Sequence, residues 1–156
     1  AYHRVMECLN YSKAGSTEDI KNEIDRMVRE EKLSLKQAEC IKLKDIDTFA
    51  GSSIGERIKR AYAYGGVKRE QPFVFEYDRQ LVQGVIDLYF IEDGQLVIVD
   101  YKTDRVLRGR AGEDELRRRY SIQLDYYAMA LSQITGLKVK EKVIYSFALG
   151  RSLTVE

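Results

Sequence analysis

The sequence predicts an α/β fold in which helices flank a mixed β-sheet, with an additional helical segment at the N-terminal end. Two observations lead to this prediction. Apolar residues recur at helical spacing in the first third of the chain and again over 113–134, whereas β-branched and aromatic residues dominate 73–101 and 139–155. The order of helices, three strands, a long helix and a final strand region is typical of helices packed on a sheet.

The first third of the chain carries the signals of several separate helices. Helices are predicted over 16–31 and 34–44, and two short ones over 45–64, before a Gly-Gly pair ends the helical region. The second of these begins at a capping box, because Ser34 is followed three residues later by Gln37.

The rest of the chain alternates between strand and helix signals. Strands are predicted over 73–77, 81–91, 95–101 and 139–149, with a further short one over 152–155. Asp93-Gly94 is a strong hairpin-turn signal between the second and third of them. The long helix over 113–134 is predicted to stop at Gly136.

Composition excludes several classes of protein. The 156 residues include 26 basic and 25 acidic side chains, so the net charge of +1 identifies no anionic partner by itself. No apolar stretch approaches the roughly 20 residues of a membrane-spanning helix, so we expect no membrane partner. Two cysteines are too few for an iron–sulfur cluster, and no Gly-x-x-x-x-Gly-Lys-Ser/Thr loop is present to bind ATP. We expect one domain over 1–156, and the absence of an initial Met suggests a piece of a longer protein.

The predicted hairpin places two carboxylates opposite each other. If Asp93-Gly94 forms a two-residue turn, counting outward along both strands brings Asp87 opposite Asp100. Directly opposed side chains lie on one face with Cβ atoms about 4.5–5.5 Å apart. Lys102, two positions beyond Asp100, shares that face because side chains alternate along a strand. The sequence therefore predicts these three charged residues as one cluster.

Such a pair of carboxylates is costly unless a cation lies between them, because like charges repel. Hard divalent cations such as Mg²⁺ prefer oxygen ligands of this kind, and a neighbouring lysine would stabilise a phosphate or help to align an attacking water. The pattern therefore favours a metal site. The alternative is a solvated sheet face that carries ordinary surface charges.

A series of motifs, taken in order, carries a resemblance to a known family. The motifs are Gly84-Val85-Ile86-Asp87, Asp100-Tyr101-Lys102-Thr103 and Gln123-x-x-x-Tyr127-Ala128, together with Tyr2-His3-Arg4-Val5, Glu70-x-Pro72-Phe73 and Ile144-Tyr145-Ser146. They resemble the RecB-type branch of the PD-(D/E)XK nucleases and, within it, the C-terminal nuclease domains of AddA-type helicase–nuclease subunits. The resemblance covers nearly the whole chain and implies a restriction-endonuclease-like core. One departure is that no proline precedes the first aspartate.

The resemblance implies a metal site and a catalytic residue. His3, Asp87, Asp100 and the backbone carbonyl of Tyr101 would bind Mg²⁺, for which Mn²⁺ could substitute. Lys102 would be the catalytic lysine. The implied activity is exonucleolytic hydrolysis of DNA phosphodiester bonds during double-strand-break repair and recombination.

Gln123 and Tyr127 lie four residues apart and therefore share one face of the long helix. The resemblance implies that they brace the active site or contact the DNA strand, whereas their spacing alone fits a core-edge tyrosine equally well. The implied context is single-stranded DNA delivered by a helicase part that alone uses ATP, an AddB-type partner subunit, and the bacterial cytoplasm beside the nucleoid.

Basic residues follow the second motif and are candidates for DNA binding. They are Arg105, Arg108, Arg117, Arg118 and Arg119. They could follow a phosphate backbone, but the acidic run 113–115 interrupts them, so a solvated helix face fits as well.

Two functional alternatives stay open. The first is another enzyme on the same scaffold: a Cas4-like or phage-type exonuclease, or a restriction-type endonuclease. The missing cysteine quartet argues against the iron–sulfur type. The second is a catalytically inactive module that only binds nucleic acid.

Overall fold

The computed structural model describes all residues 1–156, and the chain divides into two units, Ala1–Gly65 and Gly66–Glu156. The N-terminal unit contains only helices. They are α1 (Tyr2–Cys8), α2 (Thr17–Arg29), α3 (Leu35–Glu39), α4 (Leu43–Ala50) and α5 (Ser53–Ala63), with a 3-10 turn at Tyr11–Lys13. No helix of the chain has both the length and the apolar character needed to cross a bilayer.

Side-chain caps fix where these helices begin. The Ser16 hydroxyl accepts the Asp19 amide at 3.1 Å at the start of α2, and the predicted capping box is confirmed, since Ser34 and Gln37 each accept the other's backbone N–H. An unsatisfied N–H at a helix start is costly, so these residues set the boundaries.

The prediction of one helix over 34–44 was wrong in its extent. The helix stops at Glu39, and the side chain of Ile41 is buried, which draws the chain out of the helical path. Lys42 is extended, and its N–H donates to the Tyr2 hydroxyl at 3.2 Å. Core burial and this tertiary hydrogen bond therefore outweigh local helical preference.

A buried ion pair fastens the N-terminal unit. The Glu23 carboxylate is 3% exposed, lies 2.9 Å from Arg26 Nε, and accepts the Asn10 amide at 2.8 Å. Arg26 also donates to the Cys8 carbonyl at 2.9 Å. Burial raises the pKa of Glu23, but the hydrogen bonds from Arg26 and Asn10 outweigh it, and the net effect lowers this pKa.

The C-terminal unit is a five-stranded sheet with one long helix. Its elements are β1 (Val67–Tyr77), β2 (Gln80–Glu92), β3 (Gln95–Lys102), α6 (Arg110–Thr135), β4 (Val139–Ser146) and β5 (Arg151–Val155). The spatial order is β1-β2-β3-β4-β5, and only the β3–β4 pair is parallel. The predicted mixed sheet flanked by helices is confirmed.

Helix α6 supplies one face of the core and ends where the sequence predicts. Leu124 and Leu131 are fully buried in a cluster with Ile98 and Ile144 of the central strands. Gly136 adopts φ 72°, and its N–H donates to the Ser132 carbonyl at 2.9 Å. Glycine adopts this left-handed conformation without strain, so it closes the helix.

We expect Glu23→Gln to lower the free energy of unfolding by about 1–3 kcal/mol at neutral pH, because a charged, buried hydrogen-bond acceptor is lost. The folded-state pKa of Glu23 is lowered, so its stabilisation is present above the ordinary carboxyl range and is lost as pH falls through the folded value. Urea unfolding at several pH values should show the gap to wild type closing in acid. Asp25→Asn, which removes an exposed ion pair with Lys21 at 3.6 Å, is the control and should cost less than about 0.5 kcal/mol. An equal loss in both variants would contradict the assignment.

Candidate active site

The β2–β3 hairpin has the register that the sequence predicts. Asp93 and Gly94 adopt φ values of 53° and 74°, as a two-residue hairpin turn of the primed type requires. Glu92 pairs with Gln95, and the ladder runs in step as far as Leu88 and Val99. The next position on each strand is an aspartate, so the pairing stops where the predicted site begins.

The strands separate there because each follows its other neighbour. Strand β2 remains paired with β1 down to Gln80, whereas β3 remains paired with β4 up to Lys102. At the point of separation the Asp87 carboxylate accepts the Tyr101 amide at 2.8 Å. A side-chain acceptor therefore satisfies a backbone donor that is not bonded across the β2–β3 ladder.

Asp100 and Lys102 form a tight pair beside this fork. The Asp100 side chain is only 2% exposed, and its Oδ2 lies 2.9 Å from Lys102 Nζ. The same ammonium donates to Gln123 Oε1 on α6 at 3.1 Å. Lys102 is therefore held from the sheet by a carboxylate and from the helix by an amide.

Tyr127 reports on the electrostatic field of the site. Burial raises the pKa of its hydroxyl most, and the negative charges of Asp100 and Asp87 raise it further, against a lowering hydrogen bond with Gln123. These groups act on one hydroxyl, so the structure brings Asp87, Asp100, Lys102, Gln123 and Tyr127 together, as the sequence predicts. Charge repulsion between the two aspartates is only partly offset by one lysine.

The oxygen atoms present fit a hard divalent cation in chemistry. Two carboxylates converge there, and one of them is buried. No group of three or more His, Cys, Asp or Glu side chains forms a metal cluster in the chain. His3 lies in helix α1 of the N-terminal unit, and its role as a ligand, like that of the Tyr101 carbonyl, stays a prediction.

The sequence did not single out Tyr120 and Asp104 as parts of this site. Lys102 Nζ lies 4.0 Å from the centre of the Tyr120 ring, within the range of a cation–π interaction. The Tyr120 hydroxyl donates to Asp104 Oδ2 at 2.7 Å. The available signal was spacing, since Tyr120 lies three residues before Gln123 and one helical turn apart on the same face.

Glu70 is a second residue whose place only the structure reveals. Its neighbours Arg69 and Gln71 pair with Leu88 and Ile86, so Glu70 stands across from Asp87 on the edge strand. It adopts φ 50°, unusual for a residue with a side chain. Its charge also contributes to raising the pKa of Tyr127.

The predicted DNA-binding arginines fall into two groups. Arg117 and Arg119 are engaged: Arg117 donates to the Thr154 carbonyl at 3.0 Å, and Arg119 contacts Asp104 and Glu115. The side chains of Arg105, Arg108 and Arg118 are exposed. The acidic residues of α6 therefore neutralise part of the basic run.

The chain belongs to the PD-(D/E)XK nuclease superfamily, which it matches over residues 1–153. Its curated relatives include an AddA-type ATP-dependent helicase/nuclease subunit of a Thermoanaerobacter species, at 40% identity over 98% of this chain. The protein of the same name from Acetivibrio thermocellus is 39% identical over 97% of the chain, and that from Clostridium novyi is 35% identical over 94%. The chain spans about 13% of the length of each of these relatives.

We expect Tyr120→Leu to slow turnover about 5- to 30-fold with little change in KM, because Lys102 loses the ring that positions its ammonium. Tyr120→Phe keeps the ring, loses only the hydroxyl contact with Asp104, and should stay within about 3-fold of wild type. Steady-state kinetics on an oligonucleotide would separate kcat from KM. Equal damage from both substitutions would show that the ring has no positioning role.

Proposed function

We propose that the chain is a DNA nuclease domain that hydrolyses phosphodiester bonds in the presence of Mg²⁺, with Mn²⁺ able to substitute. The observation that carries this proposal is the meeting of Asp87, Asp100 and Lys102 where β2 and β3 separate. Membership of a nuclease superfamily over nearly the whole chain supports it, and both units fall within the matched range.

Four groups of the chain would hold the metal. They are the carboxylates of Asp87 and Asp100, the Tyr101 carbonyl and, from α1, the imidazole of His3. A divalent ion bound there supplies a Lewis acid for the phosphate and a more acidic water. Asp87 has one oxygen on the Tyr101 amide, which orients its carboxylate.

The remaining side chains position charge and substrate. Asp100 and Gln123 hold the Lys102 ammonium from two sides, so its positive charge is fixed beside the place where the scissile phosphate would lie. The hydroxyl of Tyr127 is largely buried beside both aspartates, and its raised pKa keeps it protonated as a hydrogen-bond donor. These residues therefore align the phosphate without themselves forming a bond to it.

The substrate is proposed to be DNA, read through its phosphates. Arg105 and Arg108 lie on the exposed segment that joins β3 to α6, and Arg118 is exposed on α6. Segments that follow the active-site strand are well placed to contact the strand being cut. Arg117 and Arg119 have carboxylate partners, so their part in DNA binding is proposed to be smaller.

The names of the relatives suggest the setting of this activity. We propose that the domain works at the C-terminal end of a helicase–nuclease subunit whose motor part alone uses ATP. It would receive single strands, act as an exonuclease beside an AddB-type subunit, and serve DNA repair and recombination near the nucleoid in the bacterial cytoplasm.

Cleavage of labelled linear and circular DNA, single- and double-stranded, with EDTA, Mg²⁺ or Mn²⁺, tests the proposal. We expect Asp100→Asn and Lys102→Ala to lower the rate about 100-fold or more, because charge at the reacting phosphate is lost. Asp125→Asn, an exposed carboxylate on α6 paired with Lys142, is the matched control and should cut normally. Calorimetry should show metal binding that weakens in Asp87→Asn. Wild-type rates in the Asp100 or Lys102 variant would refute these roles, and a metal-independent wild type would refute the metal.

The arginine assignment has its own test in the salt dependence of binding. We expect Arg118→Ala to weaken binding to single-stranded DNA and to reduce the slope of log K against log salt by about 0.7, the value for one phosphate contact. Arg117→Ala should change the slope less, because its guanidinium already contacts Thr154 and the acidic residues of α6. Fluorescence anisotropy over a salt series measures both slopes. Unchanged binding by the Arg118 variant would remove this residue from the interface.

A further inference from the structure

A groove of about 410 Å³ lies beside the candidate active site, between β2 and α6. Val82, Gln83 and Gly84 line it from the strand, and Ile122 and Tyr126 are among its helix residues. Gln123 and Tyr127 also line it. The groove is therefore continuous with the site.

Aromatic rings form its inner end. Phe73 and Tyr127 meet edge to face with centroids 5.5 Å apart. A Cβ atom at position 84 would lie 3.0 Å from the Phe73 ring, so any residue other than glycine would push this ring out of place. Gly84 thus preserves both the ring packing and the width of the groove.

The outer end is apolar and open to solvent. The Ile122 side chain is 65% exposed at the rim. From Tyr127 a series of ring contacts continues outward through Phe73, Phe75 and Tyr126 to Tyr77, with centroid separations of 5.5 to 6.2 Å. Exposed apolar and aromatic groups in a concave surface are typical of a ligand site.

The charge of the groove argues against a phosphate as its occupant. Arg119 is the one cationic side chain among its lining residues, and Asp104 and Glu115 already bind its guanidinium. The exposed amide of Gln83 offers both a donor and an acceptor at the rim. A flat group with apolar faces and a hydrogen-bonding edge fits this lining, and a nucleobase is such a group.

We propose that this groove binds one nucleobase of single-stranded DNA, next to the phosphodiester bond held at Asp87 and Asp100. This inference rests on the proposed nuclease function. Bases stack on aromatic side chains with little regard to sequence, so the groove would accept any base. Bases of a duplex are stacked and paired, and could enter only after unpairing. The groove thereby makes single strands the preferred substrate.

The experiment compares two strands that differ only in their bases. A fluorescein-labelled oligothymidylate and an abasic strand of equal length are titrated with the protein in EDTA, so that no cleavage occurs. Wild type should bind the thymidylate about 5- to 100-fold more tightly, as expected for stacking of one base. Tyr126→Ala should lose most of this preference, Tyr126→Phe should retain it, and Ile122→Ala should lose part of it.

Ile134→Ala is the matched control, because Ile134 is an exposed isoleucine of the same helix at 55% exposure and does not line the groove. It should bind both strands like wild type. Equal affinity of wild type for the two strands, or a preference that Tyr126→Ala leaves intact, overturns the inference. Cleavage with Mg²⁺, measured on the same proteins, distinguishes the two proposals. A wild type that cuts but ignores bases refutes only the groove, and one that selects bases through Tyr126 but never cuts refutes only the nuclease activity.

Discussion

The hydrogen bond from the Tyr101 amide to the Asp87 carboxylate is the contact on which the site depends. It lies where β2 and β3 end their pairing and each continues with another strand. Without a side-chain acceptor, separating these strands would leave a largely buried N–H without its bond, at a cost of about 1–3 kcal/mol. One carboxylate therefore keeps open the gap in which the other charged groups meet, and its second oxygen remains for a ligand.

Helix α6 serves structure and chemistry with different faces. Leu124 and Leu131 face the sheet and are fully buried, while Gln123 and Tyr127, on adjacent positions of the turn, reach the charged fork. The core packing that orients the leucines also fixes the amide and the phenol, because all four sit on one rigid element. Precision at the site is thus a consequence of the hydrophobic core, and a cavity beneath α6 would disturb Lys102 without touching it.

Local patterns predicted what depends on near neighbours in the chain. The Asp93-Gly94 turn fixed the register, and counting from it placed Asp87 and Asp100 together. Contacts between distant segments were beyond such counting. Ile41 ends a helix because the core buries it, and Tyr120 reaches Lys102 only after α6 packs on the sheet. Glu70 stands across from Asp87 through a β1–β2 register that no short turn signal in the sequence revealed.

The position of β3 in the sheet has a further consequence. It is the third of five strands, bonded to β2 along one side and to β4 along the other, and the Phe147 amide extends the second ladder to the Lys102 carbonyl at 3.0 Å. Central strands open only with the whole domain, whereas edges and loops fluctuate locally. The residues proposed to perform the chemistry thus occupy the slowest-exchanging backbone of the unit. Adaptation to different DNA strands must come from the periphery: the edge strand β1, the arginine-bearing loop and the outer side chains of α6.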